Sequence, residues 1–217
     1  MTSNRVQVVV VDHPLVAHKL TFLRDKSTDT PTFTRLVDEL VTLLAYEATR
    51  DIRVVPVAVQ TPVSPADGVH LAEPKPVLIP ILRAGLGMLA GMQHLLPSAT
   101  VGFLGMSRDE ESLEITTYAD RMPADLTGTQ VYLLDPMLAT AGTICAAVDH
   151  VANLGAAELT MICLLASPEG IARLEAHAAD NDVRIRVVTG SIDLCLNDRA
   201  YIVPGLGDAG DRLYGVV

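Results

Sequence analysis

Apolar and polar positions change their period several times along this chain. Phe33, Leu36, Val37, Leu40, Leu43 and Leu44 recur at helical spacing, so Thr32 to Thr49 is expected to be an amphipathic helix with Pro31 near its start. Val54 to Val59 is β-rich, and prolines at 56, 62 and 65 break up this part of the chain. Val54 to Glu73 therefore reads as an arm, with Pro56 confined to an edge position. A regular alternation starts at Val77. Val77 to Ile81 reads as a strand, then comes a loop with Arg83, a helix to about Leu96 and a strand from Val101 to Gly105. Val131 to Leu134 is the next strand. Ile144, Ala147, Val148, Val151 and Leu154 then mark one helix face, with Gly155 as its C-terminal cap. Leu159 to Leu165 is uninterrupted apolar, as in a strand covered on both faces. Ser167-Pro168-Glu169 opens a further helix, and Arg184 to Thr189 is the last core strand.

Such alternation predicts an α/β fold: a parallel sheet flanked by helices on both faces. Ligands of such sheets gather beyond the carboxyl ends of the strands, and the loops after Ile81 and Leu134 both lie there. Ser107 to Gly128 has no strong helical period and reads as an irregular segment of the kind that forms lids.

Composition narrows the class. Of 217 residues 49% are hydrophobic and 19% charged, which favours a globule with a full core. The net charge of −10 argues against broad nucleic-acid binding, so any polyanionic ligand needs local cations. Cys145, Cys163 and Cys195 form no CxxC pair, and the six histidines show no metal-ligand spacing. Reduced, mostly buried thiols and the absence of a leader or a bilayer-length apolar run point to a cytoplasmic protein with no membrane partner.

The candidate chemistry starts at Asp135. The run from Val131 through Asp135 to Thr143 ends a strand in a carboxylate, then presents two threonines, a glycine and a helix N-terminus. Helix-start N–H groups lack internal partners and favour a phosphate, whereas a carboxylate repels phosphate but accepts hydrogen bonds from sugar hydroxyls. A phosphorylated sugar is the first ligand to consider, although an ordinary strand–turn–helix reads the same way in isolation. Arg83-Ala84-Gly85 is a Gly-containing turn with a guanidinium, suited to a diphosphate, though such a turn alone is a weak signal. Gly205-Leu206-Gly207-Asp208-Ala209-Gly210 is too glycine-rich for a strand or a helix.

These runs, with His13-Pro14-Leu15 to His18-Lys19-Leu20, Pro80 to Met88, Gly105 to Glu111 and Tyr201 to Asp211, resemble the uracil phosphoribosyltransferase family within the type I phosphoribosyltransferases. The resemblance covers essentially the whole chain. It implies one domain over residues 1–217: an N-terminal helix and β-arm over 1–73, a core over about 74–190 and a C-terminal hood over 191–217. It implies transfer of a 5-phosphoribosyl group from phosphoribosyl diphosphate (PRPP) to uracil N1, with UMP and diphosphate as products. Asp135, Pro136, Met137, Leu138, Ala139, Thr140, Ala141, Gly142 and Thr143 are expected to hold PRPP, Asp135 through the ribose hydroxyls and Ala139 to Thr143 around the 5′-phosphate. Arg83 and Arg108 are expected to hold the diphosphate, and Asp208 to lie beside ribose and base; these three are the expected catalytic residues. Ile202, Gly207, Asp208 and Ala209 are expected to bind uracil, mainly through main chain. The resemblance makes the segment with Arg108, Asp109, Glu110, Glu111 and Tyr118 a mobile flap.

Mg²⁺ is the expected ion, carried by PRPP oxygens and water without a protein ligand cluster. A homo-oligomer and GTP as an activator are further expectations. Ala141 stands where a glycine is frequent in the family, so the position is expected not to demand left-handed geometry. Two other readings stand beside this one. An RNA-binding pyrimidine regulator of the same fold would need a basic face, and a purine phosphoribosyltransferase would need an aromatic base platform, for which only Tyr201 and Tyr214 are near.

Overall fold

The computed structural model describes residues 5–108, 115–181 and 183–216. Asp109, Glu110 and Glu111 lie outside the described residues, as does the side chain of Arg108. In chain order come β1 (Val6–Val10), α1 (Pro14–Arg24), α2 (Thr30–Ala48), β2 (Val54–Gln60), β3 (Pro65–Leu71) and β4 (Val77–Leu82). Next are a 3-10 turn (Ala84–Met88), α3 (Leu89–Leu95), β5 (Thr100–Val101), β6 (Phe103–Arg108), β7 (Ile115–Arg121), β8 (Val131–Leu134) and β9 (Met137–Leu138). The remainder is α4 (Gly142–Asn153), β10 (Glu158–Ala166), α5 (Pro168–Asn181), β11 (Arg184–Ile192), β12 (Cys195–Leu196), β13 (Ile202–Val203) and α6 (Ala209–Tyr214).

Among the described residues one sheet runs β1-β11-β10-β8-β4-β6-β7, with β5 beside β4 and β9 beside β10. Every pairing in it is parallel except β6 with β7. This is the parallel sheet that the alternation of apolar runs predicts. Side chains of a strand alternate between faces, and both faces are covered here. Ile79, Leu133, Met161 and Val187 pack with Ile144, Val148 and Leu174 from α4 and α5. Leu78, Tyr132, Ile162 and Val188 pack on the other side with Phe33, Leu40 and Leu44 of α2. Each such buried side chain stabilises the fold by about 1.5–3 kcal/mol. The start of α2 is set by its cap: Asp29 accepts from the Thr32 N–H at 2.9 Å and Pro31 occupies the first turn.

Several elements differ from the expectation: α1, β9, β12, β13 and α6 were not assigned from the pattern, and Ala209 and Gly210, in a run expected to suit neither strand nor helix, open α6 behind the Asp208 cap. β1, left unassigned by the sequence pattern, joins the sheet edge beside β11, because its valines pair there without a clean alternation. The strand expected from Val101 to Gly105 is split at Gly102, whose missing side chain makes room for Met122. The segment from Ser107 to Gly128 is not wholly irregular. Ile115–Arg121 is a strand that turns back antiparallel onto β6 with a register shift at Gly105/Met106, so cross-strand pairing supplies the order that helical periodicity could not reveal. The arm is a hairpin: β2 and β3 pair with each other, and among the described residues the strand holding Pro56 has one neighbour.

Candidate active site

A cavity of about 350 Å³ opens where β8 ends, bounded on one side by Asp135 to Ala139 and on the other by Ile202 and Gly207 to Gly210. It lies at the carboxyl edge of the parallel strands. Another concavity, of about 260 Å³, sits at the opposite edge, by the first residues of β8, β10 and β11, away from every candidate site residue.

The first wall is the strand–turn–helix run. Asp135 is half-buried, and its Oδ1 accepts from the Met137 N–H at 3.3 Å. Desolvation dominates that one hydrogen bond and pushes its carboxyl up to about 7. Thr140 and Thr143 are half-buried at the turn, whereas the Leu138 side chain points into the core, leaving that residue only its main chain to offer. The expectation for Ala141 is overturned. Its φ of 59° and ψ of 4° are left-handed, and it caps α4 without a side-chain hydrogen bond. The tight turn into α4 takes that geometry, and the packed surroundings hold an alanine in it despite a cost of about 1–2 kcal/mol.

What holds the turn lies beneath it. Ser167 Oγ donates to the Ala139 carbonyl at 2.7 Å and accepts from the Gly170 N–H at 2.9 Å. Arg173 donates to the Thr140 carbonyl at 3.3 Å. A Cβ on Gly170 would lie 2.2 Å from the Ala139 oxygen, so α5 can approach only with glycine there. Ser167 was legible as a helix cap, but its second bond to the turn has no sequence signal.

The second loop comes after β4. The Arg83 side chain is exposed and makes no hydrogen bond or ion pair among the described residues, its carbonyl accepts from the Leu86 N–H at 3.1 Å, and its peptide with Leu82 is cis. Gly85 permits a close approach, but to protein: an added Cβ would sit 2.1 Å from the Leu134 oxygen. Gly87 likewise faces Leu213 of α6. Tyr118 of β7 covers Gly105 and donates from its hydroxyl to the Leu82 carbonyl at 3.3 Å, linking the returning strand to the Arg83 loop. Arg108 closes β6 beside that loop's strand.

The third wall is the terminal segment. Gly205 and Gly207 have φ of 62° and 84°, open to glycine at no steric cost. Ile202 and Ala209 are buried, whereas Gly207 and Asp208 are exposed at the cavity. Asp208 caps α6, its Oδ1 accepting from the Asp211 N–H at 2.9 Å. Tyr201, the first residue of the resembling run, also lines the cavity, and so do Arg199 and Ala200, which motif reading missed because the β12–β13 turn that carries them is defined only by strand pairing. The structure thus brings Asp135, Pro136, Met137 and Ala139 together with Ile202, Gly207, Asp208 and Ala209. Thr140 to Thr143 and Arg83 border the cavity in sequence without lining it. Such a site offers one desolvated carboxylate, a helix-start turn and a run of unhindered main-chain groups. That set matches a phosphorylated sugar beside a flat, hydrogen-bonding ring. Among the described residues no group of three His, Cys, Asp or Glu side chains is placed to hold a metal ion.

Comparison with known proteins agrees with this geometry. The model of the family described as uracil phosphoribosyltransferase matches residues 10–216. A uracil phosphoribosyltransferase of Nocardioides sp. is 65% identical over 208 residues, covering 96% of this chain and 98% of the relative. One from Kocuria rhizophila is 61% identical over 98% of this chain and 100% of its own. A solved protein from Aquifex aeolicus superposes with a TM-score of 0.89 at 39% identity, covering 97% of this chain and 99% of that one. An adenine phosphoribosyl transferase from Trypanosoma brucei shares the fold alone, with a TM-score of 0.57 at 13% identity over 92% of this chain and 88% of that one. The chain belongs to the uracil phosphoribosyltransferase family.

Proposed function

We infer that this chain transfers the 5-phosphoribosyl group of PRPP to N1 of uracil, releasing diphosphate and forming UMP. The observation that carries it is the meeting, in one cavity, of the Asp135 turn and the Gly207–Ala209 segment. In this reading the first amides of α4 with Thr140 and Thr143 hold the 5′-phosphate, and Asp135 accepts from the ribose hydroxyls. Arg83, whose side chain makes no hydrogen bond or ion pair among the described residues, and Arg108 neutralise the departing diphosphate. Ile202, Gly207 and Ala209 present main-chain donors and acceptors to the uracil edge. Cytosine would set a donor against a donor there, leaving buried groups unpaired. The anomeric carbon takes oxocarbenium character as its bond to diphosphate breaks, uracil N1 supplies the electron pair for the new bond and its proton passes to the departing diphosphate or to water, so no enzyme nucleophile is called for. Orientation and water exclusion supply the remaining rate.

The residues fit a substrate-borne Mg²⁺. Asp135 and Asp208 are the carboxylates facing the cavity, and they would meet the ion through its ligands. Mg²⁺ supplies charge neutralisation on the diphosphate. The β2–β3 arm supports a homo-oligomer: Val63 and Val69 are 93% and 62% exposed, and a lone hairpin is marginal in water unless covered. Light scattering reads that assembly. The decisive assay incubates the chain with PRPP, Mg²⁺ and, separately, uracil, cytosine, hypoxanthine or orotate, with and without GTP. UMP formation from uracil alone is expected, and GTP raising its rate would support activation. Turnover of hypoxanthine instead would refute the reading.

A further inference from the structure

The terminal segment is held from the far end of the chain. Arg24, in the last turn of α1, forms a two-pronged ion pair with Asp193: Nη1 donates to Oδ2 and Nη2 to Oδ1, both at 2.6 Å. The same Nη1 donates to the Gly205 carbonyl at 2.9 Å. Asp193 Oδ2 accepts from the Gly205 N–H at 2.9 Å, and Oδ1 accepts from Ser191 Oγ at 3.0 Å. Both main-chain groups of Gly205 are therefore engaged by one ion pair. The side chain of Asp193 is 3% exposed. Burial alone would raise its carboxyl, but Arg24 and the Gly205 N–H hold it below the usual carboxylate range. Gly205 has little room to shift: its backbone is left-handed, and an added Cβ would lie 2.1 Å from the Ile202 oxygen.

We propose that the Arg24–Asp193 pair is the positioning device for the base: by fixing the Gly205 peptide it sets the direction of the Ile202 and Gly207 main-chain groups that read uracil. Arg24 and Asp193 do not line the cavity and touch no substrate; they act through Gly205. This rests on the reading of the terminal segment as the uracil site. A guanidinium is needed because three bonds leave it in one plane, and a lysine ammonium cannot reproduce that fork. The arrangement also explains why α1, 181 residues away from Gly205 in sequence, belongs to the same functional unit as the C-terminal segment.

The test is steady-state kinetics on the full chain with PRPP and Mg²⁺, for Arg24→Lys, Asp193→Asn and Gly207→Ala. Arg24→Lys is expected to raise the KM for uracil about tenfold, equivalent to one charge-assisted hydrogen bond, and to leave the KM for PRPP within about twofold. Its preference for uracil over cytosine is expected to fall, which a loss of stability alone would not produce. Should Arg24→Lys lack a cooperative melt, Asp193→Asn, which keeps the shape, carries the same expectation. A parallel change in both KM values, or no change in either, overturns the proposal. A shift in Gly207→Ala without one in the other two variants overturns the clamp and leaves the base site standing. An unchanged uracil KM in Gly207→Ala overturns the base site itself.

Discussion

Asp135→Asn separates binding from stability at one atom. In the wild-type chain burial lifts the Asp135 carboxyl from its usual 3.8 to about 7. A group whose folded value is raised binds its proton more tightly in the native state, so its stability contribution is present below the unfolded value and is lost as pH rises to the folded one. The window runs from about pH 4 to about pH 7. The full shift corresponds to about 4 kcal/mol of destabilisation above pH 7. The carboxyl is half-buried beside an open cavity, and solvent screening there reduces the figure to roughly 1–2 kcal/mol. Asparagine removes the charge at nearly constant volume. Melting of the ligand-free variant and wild type across pH 4 to 8, read by calorimetry, is expected to give coincident Tm values at the acid end. At pH 8 the variant is expected to melt about 2–8 °C higher. Taking the difference cancels the other carboxylates, including Asp193, whose lowered value acts in the opposite direction. The same variant is expected to lose about 10- to 100-fold in kcat/KM for PRPP, the worth of hydrogen bonds to a charged acceptor. A Tm difference independent of pH would refute the desolvation argument, and unchanged PRPP kinetics would refute the ribose assignment.

Gly85→Ala forces a Cβ to within 2.1 Å of the Leu134 oxygen, backbone against backbone, and is expected to cost about 3 kcal/mol or more, a fall in Tm near 10 °C by calorimetry. Ser167→Ala removes the bond to the Ala139 carbonyl and the cap of α5, and should cost about 1–2 kcal/mol while raising the KM for PRPP more than that for uracil. Asp208→Asn keeps the cap acceptor, so its Tm should match wild type. A fall of about tenfold in kcat would then report the lost charge, and turnover within a few-fold of wild type would remove Asp208 from the reaction. Asp208→Ala should additionally lose about 1 kcal/mol of stability in the same calorimetric measurement.

The core was legible because buried strands and amphipathic helices write themselves into local periodicity: Val77–Leu82, Val131–Leu134, Glu158–Ala166 and the face of α4 need only neighbouring residues to be recognised. The Asp135 turn and the terminus were legible as sites by their composition but not in full as structure: Met137–Leu138 forms the short strand β9, and Ala209 and Gly210, expected to suit neither strand nor helix, open α6 behind the Asp208 cap. β7 and β1 were not legible, because a strand at a sheet edge is defined by its partner and carries a weak pattern of its own. Ala141 misled because alanine prefers negative φ, and only the packing around the turn reverses that preference. The reach of Arg24 to Gly205, of Ser167 to Ala139 and of Gly85 to Leu134 was invisible. By itself, then, the sequence determined the alternating elements, the aliphatic two-faced core and the chemical character of each loop, all properties of short stretches. Only the tertiary structure decided which loops share a cavity, which carboxyl is desolvated and which arginine holds the terminal turn. Those outcomes depend on distances and dielectric surroundings between residues that the chain order keeps far apart.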